Sequence, residues 1–221
     1  MTELRQLPLE LPHRPSFDRA DLIETDANRL AIHAVDSWPQ WPHPVLAIVG
    51  PPGSGKTHLA EAWAASSGAQ RPQRGKSFDL TPGFACVIDD LDRKKPQEET
   101  LFGIVNAARM GLGTVLVTSR KPLSSLRFRL PDLRSRLRAA TIVSLQAPDD
   151  ALLEGVFVKL FSDRQIEVDP RMFAFILSRM ERSVVAAEQL VDALDRESLA
   201  TGRKVTRAMV SRQLSVPSIS R

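Results

Sequence analysis

The stretch Gly50-Pro51-Pro52-Gly53-Ser54-Gly55-Lys56-Thr57 has the residue types and spacing of a loop that holds phosphates. Its glycines let successive backbone N–H groups turn toward one anion at the start of a helix. Lys56 is placed to reach the β- and γ-phosphates, and the Thr57 hydroxyl to hold Mg²⁺. His58 follows directly and is counted with the nucleotide-binding set. A second pair of groups sits in Cys86-Val87-Ile88-Asp89-Asp90. An aspartate at the end of a strand beside a phosphate loop can orient the water shell of Mg²⁺, the role assigned to Asp89. Asp90 is the candidate to polarise an attacking water. A third cluster is Thr118-Ser119-Arg120, from which Ser119 is taken as a polar contact to the γ-phosphate or the water. Other readings are a chance glycine loop, capped strand ends and a polar strand terminus.

These groups need elements to carry them. The apolar run from Val45 into Gly50 reads as a strand, and Lys56 to Ala65 as the helix behind the loop. Phe84 to Asp90 and Thr114 to Ser119 read as further buried strands, with a helix from Glu99 to Arg109 between them. A short strand spans Ala140 to Leu145. Strands alternating with helices predict a parallel sheet covered by helices on both faces. A helix from Asp26 to Val35 is expected before the sheet, with Leu30, Ala31 and Ala34 on its apolar face. Three prolines make Trp38 to Pro44 a loop. After Pro148 the pattern is wholly helical: a start at Asp149 or Asp150, another at Asp169-Pro170, a long helix from Ser183 ended by Gly202, and a last one from Thr206. The domains are therefore an extended tail, 1–16; an α/β core, 17–148; and a small all-helical lid, 149–221.

The 221 residues carry a net charge of +4, with 43% hydrophobic and 25% charged residues, the balance of a folded globular chain. There is no apolar run long enough to span a bilayer and no basic flank before an apolar N-terminal stretch, which predicts a cytoplasmic protein. The single cysteine, Cys86, is expected on a buried strand. The positive charge is concentrated at Arg120, Lys121, Arg127, Arg129, Arg134, Arg136 and Arg138, against only Asp132. Such a patch can bind nucleic acid, meet a nucleotide phosphate across a protein interface, or face solvent.

The three clusters followed by a helical lid resemble the AAA+ ATPases, and the finer pattern resembles the DnaA-related branch. The residues that carry it are GKTHLAEA from Gly55, VIDDLDR from Val87, LVTSRKP from Leu116, LPDLRSRL from Leu130 and the stretch Asp192–Val210. The resemblance implies ADP or ATP with Mg²⁺ as ligands. It also implies that Arg136, in the SRL step, is an arginine finger reaching the nucleotide of a neighbouring subunit, and so aimed outward. A fixed guanidinium suits that task because it can pair bidentately with phosphate oxygens. The branch further carries a lid arginine on the phosphates. The aligned position here is Val185 or Ala186, and Arg182 is the nearby arginine given that role.

Near the N-terminus, Gln6-Leu7-Pro8-Leu9-Glu10-Leu11 is similar to the short motifs with which bacterial proteins dock on the sliding clamp of DNA polymerase III. Gln6 would make polar contacts while Leu7, Leu9 and Leu11 enter an apolar pocket. With a DnaA-like core, and with Arg221 falling soon after the last helix, the pattern resembles the Hda-type regulatory inactivators rather than an initiator with a helix-turn-helix domain. That resemblance implies clamp and DnaA as partners, a possible homodimer, DNA contacted only through the clamp, and weak or no ATPase activity of its own. The rivals are a DnaC-like helicase loader or transposition helper on single-stranded DNA, a small-molecule kinase, and an adaptor that binds nucleotide to stay folded.

Overall fold

The computed structural model describes residues 19–215, so the leucine-rich motif with Gln6, Leu7, Leu9 and Leu11 lies outside the described residues. The described chain divides into two compact units, an α/β unit ending at Asp149 and a helical unit beginning at Asp150.

In the α/β unit, β1 (Val45–Val49), β2 (Phe84–Ile88), β3 (Gly113–Ser119) and β4 (Thr141–Ser144) form one parallel sheet in the order β2-β3-β1-β4. The side chains of β1, β2 and β3 alternate between two cores. Val45 and Ala47, Cys86 and Ile88, and Val115 and Val117 join one apolar cluster; Leu46 and Ile48, Ala85 and Val87, and Leu116 join the other. The first cluster is closed by α3 (Glu98–Arg109) and α4 (Pro131–Arg138), through Leu101, Ile104, Leu133 and Leu137. The second is closed by α1 (Arg29–Asp36) and α2 (Lys56–Ser67), through Ile32, Val35, Leu59 and Trp63. Helices thus cover both faces of a parallel sheet, as the alternating pattern predicts. Each large side chain removed from water adds about 1.5–3 kcal/mol to this packing.

Two local departures have simple causes. The apolar face of α1 is Ala31, Ile32 and Val35, while Leu30 is 78% exposed. Leu30 lies a single step outside the i, i+4 stripe that the sheet selects, so its bulk does not decide the face. The helix α4 was not anticipated: only Leu133 and Leu137 of its eight residues are buried, too thin a stripe to stand out against its arginines. Between α2 and β2, Gln70 makes a single parallel bridge to Cys86 instead of a further strand. Cys86 itself is buried, and that burial pushes its thiol up to about 12.

The helical unit packs α5 (Asp150–Asp163), α6 (Arg171–Leu177), α7 (Val184–Thr201) and α8 (Arg207–Ser215) around its own core. Phe157, Phe161 and Phe173 stack there against Ile176, Leu190, Val191 and Leu194. Ser183 caps α7 by accepting the Ala186 amide, and Gly202 closes it in the left-handed conformation. Among the described residues no helix is long and apolar enough to cross a membrane.

Candidate nucleotide-binding site

The loop Gly50–Thr57 leaves the C-terminal end of β1 and feeds α2, whose N-cap is Gly55 at φ 90°. That backbone angle is costly for any residue with a Cβ. Gly50 is constrained differently, by space: a Cβ there would stand 2.5 Å from the Leu145 carbonyl oxygen and 3.1 Å from Ser54 Oγ. The first turn of α2 contains no acidic side chain, so its free amides and dipole favour an anion. Pro51 and Pro52 form the exposed crest of the loop, Gly53 turns it at φ 69°, and Ser54 is buried beneath.

Lys56 is 6% exposed, and its ammonium donates to the Pro51 carbonyl at 2.6 Å and to Ser54 Oγ at 3.3 Å. Burial lowers its pKa from the ordinary value; Arg120 pushes the same way, while Asp90, Asp89 and Asp92 oppose. A buried ammonium, costly on its own, is suited to a ligand that brings compensating negative charge. Thr57 Oγ1 donates to both Asp89 oxygens at 3.2 Å. Hydroxyl and carboxylate are hard oxygen donors. Among the described residues no group of three or more His, Cys, Asp or Glu could hold a metal. The Thr57 hydroxyl and Asp89 carboxylate fit Mg²⁺, which keeps waters and takes its remaining ligands from phosphates. His58 follows in α2 and is partly buried.

The end of β3 locks the two carboxylates of β2 in place. Thr118 Oγ1 donates to Asp89 Oδ1 at 2.6 Å and accepts the Asp90 amide at 2.8 Å. Asp90 takes the left-handed backbone conformation, φ 56°, with its side chain 14% exposed. Arg120 Nε stands 3.8 Å and Arg93 Nη1 3.9 Å from its oxygens. Ser119 points elsewhere, as the next residue on a strand must: its hydroxyl donates to the Lys121 carbonyl at 2.6 Å and to Asp92 Oδ1 at 3.3 Å. Thr118, not Ser119, is thus the strand-end hydroxyl that meets Asp89. Asp92 was also missed, though it organises the turn. Burial alone would push its carboxyl up, yet the Arg120 amide, its own amide, the Ser119 hydroxyl and the Arg120 charge hold it below the usual value.

Arg136 belongs to α4, behind the opposite face of the sheet from α2. The outward projection expected for it is not what the structure has. Its side chain is only 20% exposed, with the guanidinium carbon 4.7 Å from the centre of the Phe102 ring. Nη1 donates to the Asp132 carbonyl at 3.2 Å and lies 3.6 Å from its carboxylate, while the buried Nε has no hydrogen-bond partner among the described residues. Arg182 lies in the helical unit, just before the α7 cap, where it donates to Asp150 Oδ1 at 2.6 Å.

Comparison with known proteins accords with this arrangement. Residues 157–214 match the family described as Hda, lid domain. Domain III of the replication initiation protein DnaA from Thermotoga maritima superposes with a TM-score of 0.76 at 18% identity, over 92% of this chain and 98% of that one. The Holliday junction branch migration motor RuvB of the same organism gives 0.68 at 18% identity, over 93% and 73%. An uncharacterized protein of Haemophilus influenzae is 26% identical over 190 residues, 78% of this chain and 82% of that protein. The parallel sheet with its phosphate loop and the helical unit share the α/β fold of DnaA domain III and RuvB. The helical unit is similar, over residues 157–214, to the lid domain of Hda.

Proposed function

We propose that this protein is a nucleotide-dependent regulator of replication initiation that acts on DnaA. It binds ADP or ATP with Mg²⁺ through Gly50–Thr57, Asp89 and Thr118. It docks on the sliding clamp through Gln6, Leu7, Leu9 and Leu11, and offers Arg136 to ATP held by DnaA. DnaA then hydrolyses its ATP and becomes inactive. In this reading the protein is cytoplasmic and can pair with a second copy, DNA is reached through the clamp, and Arg182 supports the chain's own nucleotide. Its own hydrolysis is weak. Asp90 lies within 4 Å of two guanidiniums, at 3.8 and 3.9 Å, which compete for the carboxylate a base would need.

The observation that carries the proposal is the match of the helical unit to the Hda lid together with an arginine held on α4 by its own dedicated packing. An arginine supplied in trans raises hydrolysis by about 10³–10⁵-fold in well-studied NTPases. The test is hydrolysis by ATP-loaded DnaA, with and without clamp on DNA. Full stimulation is expected only with clamp and with Arg136 present. Stimulation at full rate by Arg136→Ala would remove the finger assignment, and indifference to Gln6→Ala with Leu7→Ala would remove the clamp.

A second reading, a helicase-loader type of ATPase gripping single-stranded DNA directly, has one observation in its favour. A cleft of about 470 Å³ is lined by Arg74, Lys94 and Lys95 with Gln73, Gln97 and Thr100, and among the described residues no acidic side chain lines it. Strand binding by the clamp-free chain that is lost on Lys94→Ala with Arg74→Ala would favour this second reading.

A further inference from the structure

The guanidinium of Arg136 is not held by its own helix alone. Two residues of α3, Glu98 and Phe102, stand one turn apart on one face of that helix and both engage the segment that carries it. Glu98 Oε2 accepts the Arg129 amide at 2.7 Å and the Leu130 amide at 3.0 Å, fixing the entry to α4. Phe102 lies under the guanidinium at 4.7 Å. The contact to Asp132 uses Nη1, and Nε is buried without a hydrogen-bond partner among the described residues. Among the described residues no ion pair or hydrogen bond to another element therefore sets the plane of the guanidinium; the ring does.

The structure assigns Phe102 as a positioning residue for Arg136, with Glu98 anchoring the segment before it; this assignment rests on the trans-finger reading given above. The physical reason is preorganisation. An unsupported arginine must give up rotamer freedom when it meets a phosphate, whereas one stacked on an aromatic face has given it up already. The ring touches no phosphate and acts only through the guanidinium, orienting its plane for bidentate pairing in the transition state. The interaction is of the cation–π kind, so its loss is worth roughly a 2- to 30-fold fall in rate. That is far less than the loss of Arg136 itself.

The experiment is hydrolysis by ATP-loaded DnaA at rising concentrations of full-length protein with loaded clamp. Wild type is compared with Phe102→Leu, Phe102→Tyr, Phe102→Trp and Arg136→Ala, and the thermal midpoint and nucleotide affinity of each are measured alongside. Phe102→Leu keeps bulk without a π face. It is expected to lower the maximal rate within that range, with the half-saturating concentration and nucleotide affinity unchanged, while the Tyr and Trp variants restore the rate. Full rate with Phe102→Leu would overturn the assignment while leaving the finger in place. So would a loss that aromatic replacements do not rescue, or a change confined to half-saturation. Full rate with Arg136→Ala would overturn both.

Discussion

Lys56 of the phosphate loop and Arg136 of α4 are held in different ways. Lys56 sits at a helix N-terminus, its ammonium wrapped by the Pro51 carbonyl and Ser54 hydroxyl of its own loop. Everything needed to place it lies within a few residues. Arg136 sits in a short helix with little apolar surface, and its posture comes from α3, through Phe102 and Glu98. The loop is built to receive an anion into the unit; α4 keeps a charge folded against the unit at its surface. One is set by local backbone geometry, the other by tertiary packing.

That contrast can be broken most severely at Lys56. Lys56→Ala removes charged hydrogen bonds worth about 1.5–3 kcal/mol each. Nucleotide affinity should fall by about 10- to 100-fold in calorimetric titration, while the position of Arg136 on the other face of the sheet is left intact. A variant that still binds nucleotide normally would mean the loop is not the site. Gly50→Ala tests the same region by crowding. Its Cβ would meet the Leu145 backbone oxygen at 2.5 Å, so β1 and β4 must separate. A loss of about 1–3 kcal/mol in denaturant unfolding is expected; unchanged stability would show that the sheet yields there without cost.

The smallest effect is a pH dependence. Burial depresses the pKa of Lys56, so the folded chain releases its proton at lower pH than the unfolded chain does. Below the lowered pKa the ammonium is charged and carries a desolvation cost. As pH rises through it toward 10.5, folding stability contributed by this group increases, while attraction for phosphate is lost. Nucleotide affinity should therefore weaken at alkaline pH before an ordinary lysine would titrate, and Lys56→Arg should flatten the profile. An identical profile for the two would contradict the assignment.

The same contrast explains what could be read in advance. The strand–loop–helix around Gly50–Thr57 was legible because glycine spacing and apolar runs report backbone geometry directly. So was the carboxylate pair at the end of β2. Which hydroxyl of Thr118 and Ser119 would meet Asp89 was not, because it depends on the facing of β3 against β2. The α4 helix and the Phe102 contact were harder still. Pro131 with Leu133 and Leu137 is a usable helix signal, but it was masked by the surrounding arginines, and no spacing rule links residue 102 to residue 136. In α1 the pattern offered an apolar residue, Leu30, that the fold leaves in solvent.

The central claim is that Arg136 acts on a nucleotide held by another protein. It is tested most directly by placing labelled ATP first on DnaA and then, in a separate mixture, on this chain, with clamp loaded on DNA in both. Rapid release of label from the DnaA-bound nucleotide is expected, abolished by Arg136→Ala, with only slow release from the chain's own. Release of label chiefly from the chain's own site, or from DnaA at the same rate without Arg136, would contradict it.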